Sequence, residues 1–117
     1  MCQNIKSNTF ITVGSLIRQL REDKELPLRK IAAQLDIDTS FLSKIERSER
    51  KATKEQIYKL VEIFEVEKNY LMVPYLSEII YYEIGEEDCA NHVLRAVEQK
   101  IKNKKSPPKY AEKIKGH

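Results

Sequence analysis

Apolar residues recur along most of this chain at spacings of three and four, the period of helices with one buried face. Val13, Leu16, Ile17 and Leu20 predict a first helix over Val13–Lys24, with Arg18, Arg21, Glu22 and Asp23 on its wet side. Pro27 suits the first position of a second helix, where its missing N–H costs nothing, and Leu28, Ile31, Ala32 and Leu35 continue it. Asp36-Ile37-Asp38 interrupts the period, and the Asp38 carboxylate is placed to cap a third helix over Thr39–Arg47. That helix has Leu42 and Ile45 as its apolar pair. After a polar loop, Thr53-Lys54-Glu55-Gln56 has the spacing of a capping box and opens a fourth helix carrying Ile57, Leu60, Val61 and Phe64 inward. A short fifth helix is expected over Lys68–Val73, closing at Pro74.

Beyond Pro74, Leu76, Ile79, Ile80 and Ile84 form a further stripe, and Gly85 is placed to end it in the left-handed conformation. Ala90, Val93, Leu94, Val97 and Ile101 then make a narrow seam. No segment reads as a strand. The predicted fold is all-α: a five-helix domain over residues 11–73, then one or two C-terminal helices over 74–102. Residues 1–10 read as a flexible arm and 103–117 as a flexible basic tail.

At 117 residues, two-fifths apolar and one-third charged, the chain is of single-domain size. No apolar run approaches the length of a membrane span, and the first residues lack the pattern of a secretory leader. With only Cys2 and Cys89, no disulfide framework is expected, and a cytoplasmic location follows as the expectation. The net charge of +3 says little, but its distribution is uneven. Between Thr39 and Lys59 six bases (Lys44, Arg47, Arg50, Lys51, Lys54, Lys59) face three acids (Glu46, Glu49, Glu55). Such a cluster fits either a solvated face or a nucleic-acid surface.

Leu28 to Arg47 reads as two short helices joined by a tight turn, the arrangement in which a bracing helix sets a second helix into the DNA major groove. Stepping about 100° per residue puts Leu42 and Ile45 on the core side and Ser40, Ser43, Lys44 and Arg47 on the other. Small hydroxyl residues permit close approach to base edges, and Lys44 and Arg47 can reach guanine acceptors or phosphate. Thr39 stands in the first turn.

The order of parts carries a resemblance. The pieces are Val13-Gly14-Ser15-Leu16-Ile17-Arg18-Gln19-Leu20-Arg21, Ile31-Ala32-Ala33-Gln34-Leu35-Asp36-Ile37, Phe41-Leu42-Ser43-Lys44-Ile45-Glu46-Arg47 and Thr53-Lys54-Glu55-Gln56-Ile57-Tyr58-Lys59-Leu60. Together they make Val13–Val66 resemble the Xre, or lambda-repressor-like, helix-turn-helix domain. Carried over by position, the resemblance implies base reading by Thr39, Ser40, Ser43 and Lys44, and backbone contacts by Arg47, Arg50 and Lys51. It implies an internal stabilising role for Glu46.

Three positions depart from the pattern. Pro27-Leu28 stands where many members have Ser-Gln, so the phosphate contact of that glutamine falls to Arg29 or Lys30, unless these are simply solvated. Ser48 replaces a usual glycine after the recognition helix. Phe41, large for its place, either packs at the core edge or touches a thymine methyl.

One such domain covers a half-site, so a homodimer is expected. Leu76, Ile80, Val93, Leu94, Val97 and Ile101 are the candidate interface, with an aromatic cluster of Tyr70, Tyr75, Tyr81 and Tyr82 as a second candidate. The same helices could instead cap their own domain or bind a partner protein, as an antitoxin does. The C-terminal part loosely resembles stand-alone regulators encoded beside restriction and modification enzymes. Cys89 and His92, one turn apart, are at most half of a metal site. No catalytic constellation, cofactor motif or small-molecule site is read from the sequence. The expected partner is double-stranded DNA, with no membrane and no enzyme activity.

Overall fold

The computed structural model describes residues 11–103 of the 117. The arm over 1–10 and the tail from 104 lie outside the described residues. Those described form six helices and no strand: α1 (Val13–Asp23), α2 (Leu28–Leu35), α3 (Thr39–Glu46), α4 (Lys54–Phe64), α5 (Lys68–Ile84) and α6 (Ala90–Asn103). They fall into two compact units divided between Tyr81 and Tyr82.

In the first unit the apolar stripes meet as their spacing predicts. Ile17 of α1, Ile31 of α2, Leu42 of α3, Ile57, Leu60 and Phe64 of α4 and Leu71 of α5 are the largest fully buried side chains. Helix α3 packs against both α1 and α2, which in turn rest on α4. Burial of this kind, rather than helix propensity, stabilises helices of only eight residues such as α2 and α3. Thr12 caps α1 by accepting from the Ser15 N–H, at 3.1 Å. The capping box of α4 is complete: Gln56 N–H donates to Thr53 Oγ1 at 3.1 Å, and Thr53 N–H to Gln56 Oε1 at 2.9 Å.

Helices α1 to α4 all end with a left-handed residue, and none of these is glycine: Glu25 (φ 57°), Asp36 (φ 60°), Ser48 (φ 64°) and Glu65 (φ 55°). Around each, paired backbone bonds close the last turn, as in Ile37 N–H to Ala32 O (3.0 Å) and Asp36 N–H to Ala33 O (3.1 Å). After three of the four comes an apolar residue, Leu26, Ile37 or Val66, packed against the core. This apolar contact holds the chain in a conformation that costs a non-glycine residue about 1–2 kcal/mol.

Four expectations are corrected. The break at Pro74 does not occur, because α5 runs through it from Lys68 to Ile84. Leu71 and Met72 before the proline and Tyr75 after it are all buried, and Tyr75 Oη donates to Ala52 O at 2.8 Å. Packing on both sides holds together a helix that an interior proline would weaken by about 3 kcal/mol. Tyr75 is therefore core, not part of an aromatic surface cluster. Gly85 follows the end of α5 but has no positive φ, so the left-handed ending is absent where a glycine was available. Asp38 occupies the N-cap position of α3 in extended conformation, yet its side chain makes no capping bond.

In the second unit α6 is amphipathic and none of its residues is buried. Glu98 and Lys102 form an exposed ion pair along it. Cys89, just before it, is an exposed free thiol. Among the described residues no group of three or more His, Cys, Asp or Glu could hold a metal ion, and no helix is long and apolar enough to cross a membrane.

Candidate nucleic-acid interface

Helix α3 has two sharply different sides. Leu42, Ile45 and Glu46 are buried, while Thr39, Ser40, Lys44 and Arg47 at its C-cap are exposed and Ser43 is half-buried. The turn at Asp36 and the bracing contact with α2 fix which side faces out. Ser40, Ser43, Lys44 and Arg47 thus share one outward face, since they stand three, four and seven positions along a helix.

Three contacts hold this helix from behind. Glu46 is 6% exposed and is clamped by Arg21 of α1, whose Nε and Nη2 donate to its two carboxylate oxygens at 2.7 and 3.0 Å. Arg21 Nη1 donates further to Leu26 O at 3.1 Å, so one guanidinium joins α1, the α1–α2 turn and α3. The hydrogen bond to Glu46 raises the Arg21 pKa against a smaller opposing effect of burial. Arg21 was expected on the wet side of α1 and is instead half-buried. A charge pair between separate helices leaves no mark on local period.

Gly14 is the second contact. A Cβ built there would lie 2.2 Å from Ile45 O and 3.0 Å from Glu46 O, so the N-terminal turn of α1 presses against the backbone at the end of α3. The third runs through Ser48, whose Oγ donates to Thr12 Oγ1 at 2.7 Å. The turn after α3 therefore keeps the left-handed form without a glycine, and its serine ties that turn to the cap of α1. On the far side of that cap, Val13 N–H donates to the Glu78 carboxylate of α5. Gly14, Thr12 and Glu78 were not singled out from sequence. A glycine in the first turn of a helix was the one available signal.

The basic residues are not all loose. Arg47 lies bidentate on Glu49, Nε to Oε2 at 3.0 Å and Nη2 to Oε1 at 3.3 Å, and its Nη1 donates to Ser43 Oγ at 2.5 Å. The hydrogen bonds from Arg47 hold the Glu49 carboxyl below its ordinary range, with the charges of Arg47 and Lys44 contributing to the same shift. The guanidinium of Arg50 sits 5.0 Å from the centre of the Phe41 ring. Phe41 is partly buried and packs against the core, as the first of its two readings has it. Lys51 is exposed in the loop, and Arg29 and Lys30 are exposed in the first turn of α2. Leu28 between Pro27 and Arg29 packs on the core edge.

A family model described as a helix-turn-helix domain matches residues 14–75, more than half of the chain. The chain belongs to this helix-turn-helix family. The match runs from Gly14 in the first turn of α1 through α4 to the first part of α5, and so includes α2, the turn at Asp36 and α3. No curated protein and no solved structure matched the chain. The helix-turn-helix assigns DNA binding as the property of the first unit.

The candidate dimer residues lie outside the α2–α3 pair. Leu76 and Ile80 on α5 and Leu94, Val97 and Ile101 on α6 are exposed, and Val93 is half-buried. Ile79, of the same α5 stripe, packs on the core of the first unit.

Proposed function

We propose that this chain is a sequence-specific regulator of transcription that binds double-stranded DNA as a homodimer, in the manner of lambda-repressor-like regulators. The observation that supports the reading best is the outward face of α3. Small hydroxyls at Ser40 and Ser43 lie beside the long cations Lys44 and Arg47, on a helix fixed from behind by Arg21, Gly14 and Ser48. Thr39, Ser40, Ser43 and Lys44 read base edges from the major groove. Arg47, Arg50, Lys51, Arg29 and Lys30 engage phosphates.

A homodimer supplies the second half-site through Leu76 and Ile80 with the seam Val93, Leu94, Val97 and Ile101. Such a face of exposed large apolar residues on α6 is the kind that association covers. The operator is an inverted repeat overlapping a promoter, and control of a restriction–modification or other mobile gene cassette in the cytoplasm fits a small regulator of this build. No catalytic step is assigned to it, and it needs no cofactor.

Selection of bound duplexes from a random pool tests the reading. Enrichment of an inverted repeat with half-sites about one helical turn apart supports it, and a pool left random overturns it. Sedimentation of Leu94→Glu and Val97→Glu tests the dimer: both variants shift to monomer. A wild-type monomer that co-purifies with a stoichiometric protein partner would favour an antitoxin or adaptor role.

A further inference from the structure

We propose that Glu49 is a specificity-determining residue of this helix-turn-helix: its carboxylate takes the place of a phosphate on Arg47 and, through Arg47, orients the Ser43 hydroxyl toward a base. The inference rests on the DNA-binding reading above.

The turn after α3 sets up the contact. Glu49 N–H donates to Lys44 O at 2.8 Å and Ser48 N–H to Ile45 O at 3.0 Å, while Ser48 is left-handed, so the chain doubles back over the end of the helix. The Glu49 side chain is thereby returned to Arg47. It occupies the Nε–Nη2 edge of the guanidinium, the edge that fits a phosphate or carboxylate with two parallel bonds. Nη1 gives one of its two hydrogens to Ser43 Oγ at 2.5 Å. Because that oxygen accepts from Arg47, its own hydrogen is left to donate outward. Outward from Ser43 is the face that carries Ser40 and Lys44, where a base acceptor would lie.

Two consequences separate specific from non-specific DNA. Non-specific binding rests on charge, and a phosphate that takes the Nε–Nη2 edge of Arg47 must displace a carboxylate that then stands beside the DNA backbone. Duplex of arbitrary sequence is therefore held less tightly than the cations alone would hold it. At the preferred sequence the Arg47–Glu49 pair stays intact, Arg47 meets the DNA backbone only through its remaining N–H groups, and the oriented Ser43 hydroxyl adds a directed bond to a base. Glu49 lowers one affinity and supports the other.

Glu49→Gln tests this on the full chain, because an exposed, nearly isosteric change leaves the fold in place. Affinity is measured for the selected duplex and for a scrambled duplex across a salt series. The scrambled duplex is expected to bind about two- to fivefold tighter, the range of one exposed ion pair. Its log–log salt slope is expected to steepen by about one unit, one further phosphate neutralised. The selected duplex gains nothing, so the ratio of the two affinities falls. In an Arg47→Ala background the same substitution leaves the ratio unmoved. A Glu49→Gln ratio equal to or above wild type, or tightening of both duplexes by one factor, overturns the inference while the DNA-binding reading stands. A wild type that prefers no duplex overturns that reading itself, and this inference with it.

Discussion

Arg21 and Glu46 are joined across the gap between α1 and α3 by two hydrogen bonds of 2.7 and 3.0 Å, with the carboxylate side chain 5% exposed and the guanidinium 15%. Removing one partner strands the other in a largely dry place. Arg21→Ala and Glu46→Ala are each expected to lower stability by roughly 2–3 kcal/mol, somewhat under the cost for a fully buried pair. The double variant should lose clearly less than the sum. Denaturant unfolding checks this, and full additivity would show that the pair is not coupled.

Gly14 sets how closely α1 approaches α3. In Gly14→Ala the added carbon meets backbone oxygens, which cannot rotate away, so α1 or the end of α3 must move. A loss of about 1–3 kcal/mol is expected from the overpacking. DNA affinity should fall further than in Ile57→Val, a core change that does not touch α3. Equal affinities for the two variants at matched stability would remove Gly14 from the support of the site.

The left-handed ends at Glu25 and Glu65 are exposed, and their side chains carry no hydrogen bond that the fold uses. Glycine at either place relieves backbone strain at the cost of a freer unfolded chain, and the net gain is about 0.5–1 kcal/mol. Each of Glu25→Gly and Glu65→Gly should raise the Tm by several degrees. Glu62→Gly, in the interior of α4, should lower it by a similar amount. A fall in Tm for the first two would refute the account of these turns.

Glu78 gives the stability a pH dependence of definite sign. Burial raises its carboxyl pKa, against the smaller opposing effect of the hydrogen bond from Val13 N–H. The folded state thus holds this proton more tightly than the unfolded chain does. The associated stability is full below the ordinary glutamate pKa and is lost as pH rises through the folded value. Gln at this position keeps an acceptor for Val13 and carries no charge. The gap in stability between Glu78→Gln and wild type should therefore widen in favour of the variant from acid toward neutral pH. Parallel pH curves would contradict this.

The parts of the fold that were legible in the sequence are those written in local period. Leu42 and Ile45 show which way α3 faces, and the Thr53–Gln56 box marks where α4 starts. The internal role that the family resemblance assigned to Glu46 is met by its burial against Arg21. Local rules misled where packing from elsewhere outweighed them. Pro74 reads as a stop until Leu71 and Tyr75 bury on either side of it. Gly85 reads as a left-handed end, while the four such ends lie at acids and a serine. At three of those ends an acid precedes an apolar residue, but the same pairing at Glu62-Ile63 lies inside α4, so it marks no turn by itself. What lay hidden in the site was cross-helix, Gly14 on Ile45 and Ser48 on Thr12, or set by the backbone of a turn, as where Arg47 meets Glu49.

The central claim is that the outward face of α3 reads base sequence. It is tested most directly by binding of wild type and Lys44→Ala to the selected duplex and to its single-base-pair variants, at one fixed salt concentration. The account predicts that Lys44→Ala loses roughly 1–3 kcal/mol on the selected duplex and no longer distinguishes the bases at one position of each half-site. Identical preferences at every position, with affinity lowered uniformly across all duplexes, would make Lys44 a phosphate contact and contradict the reading of this face.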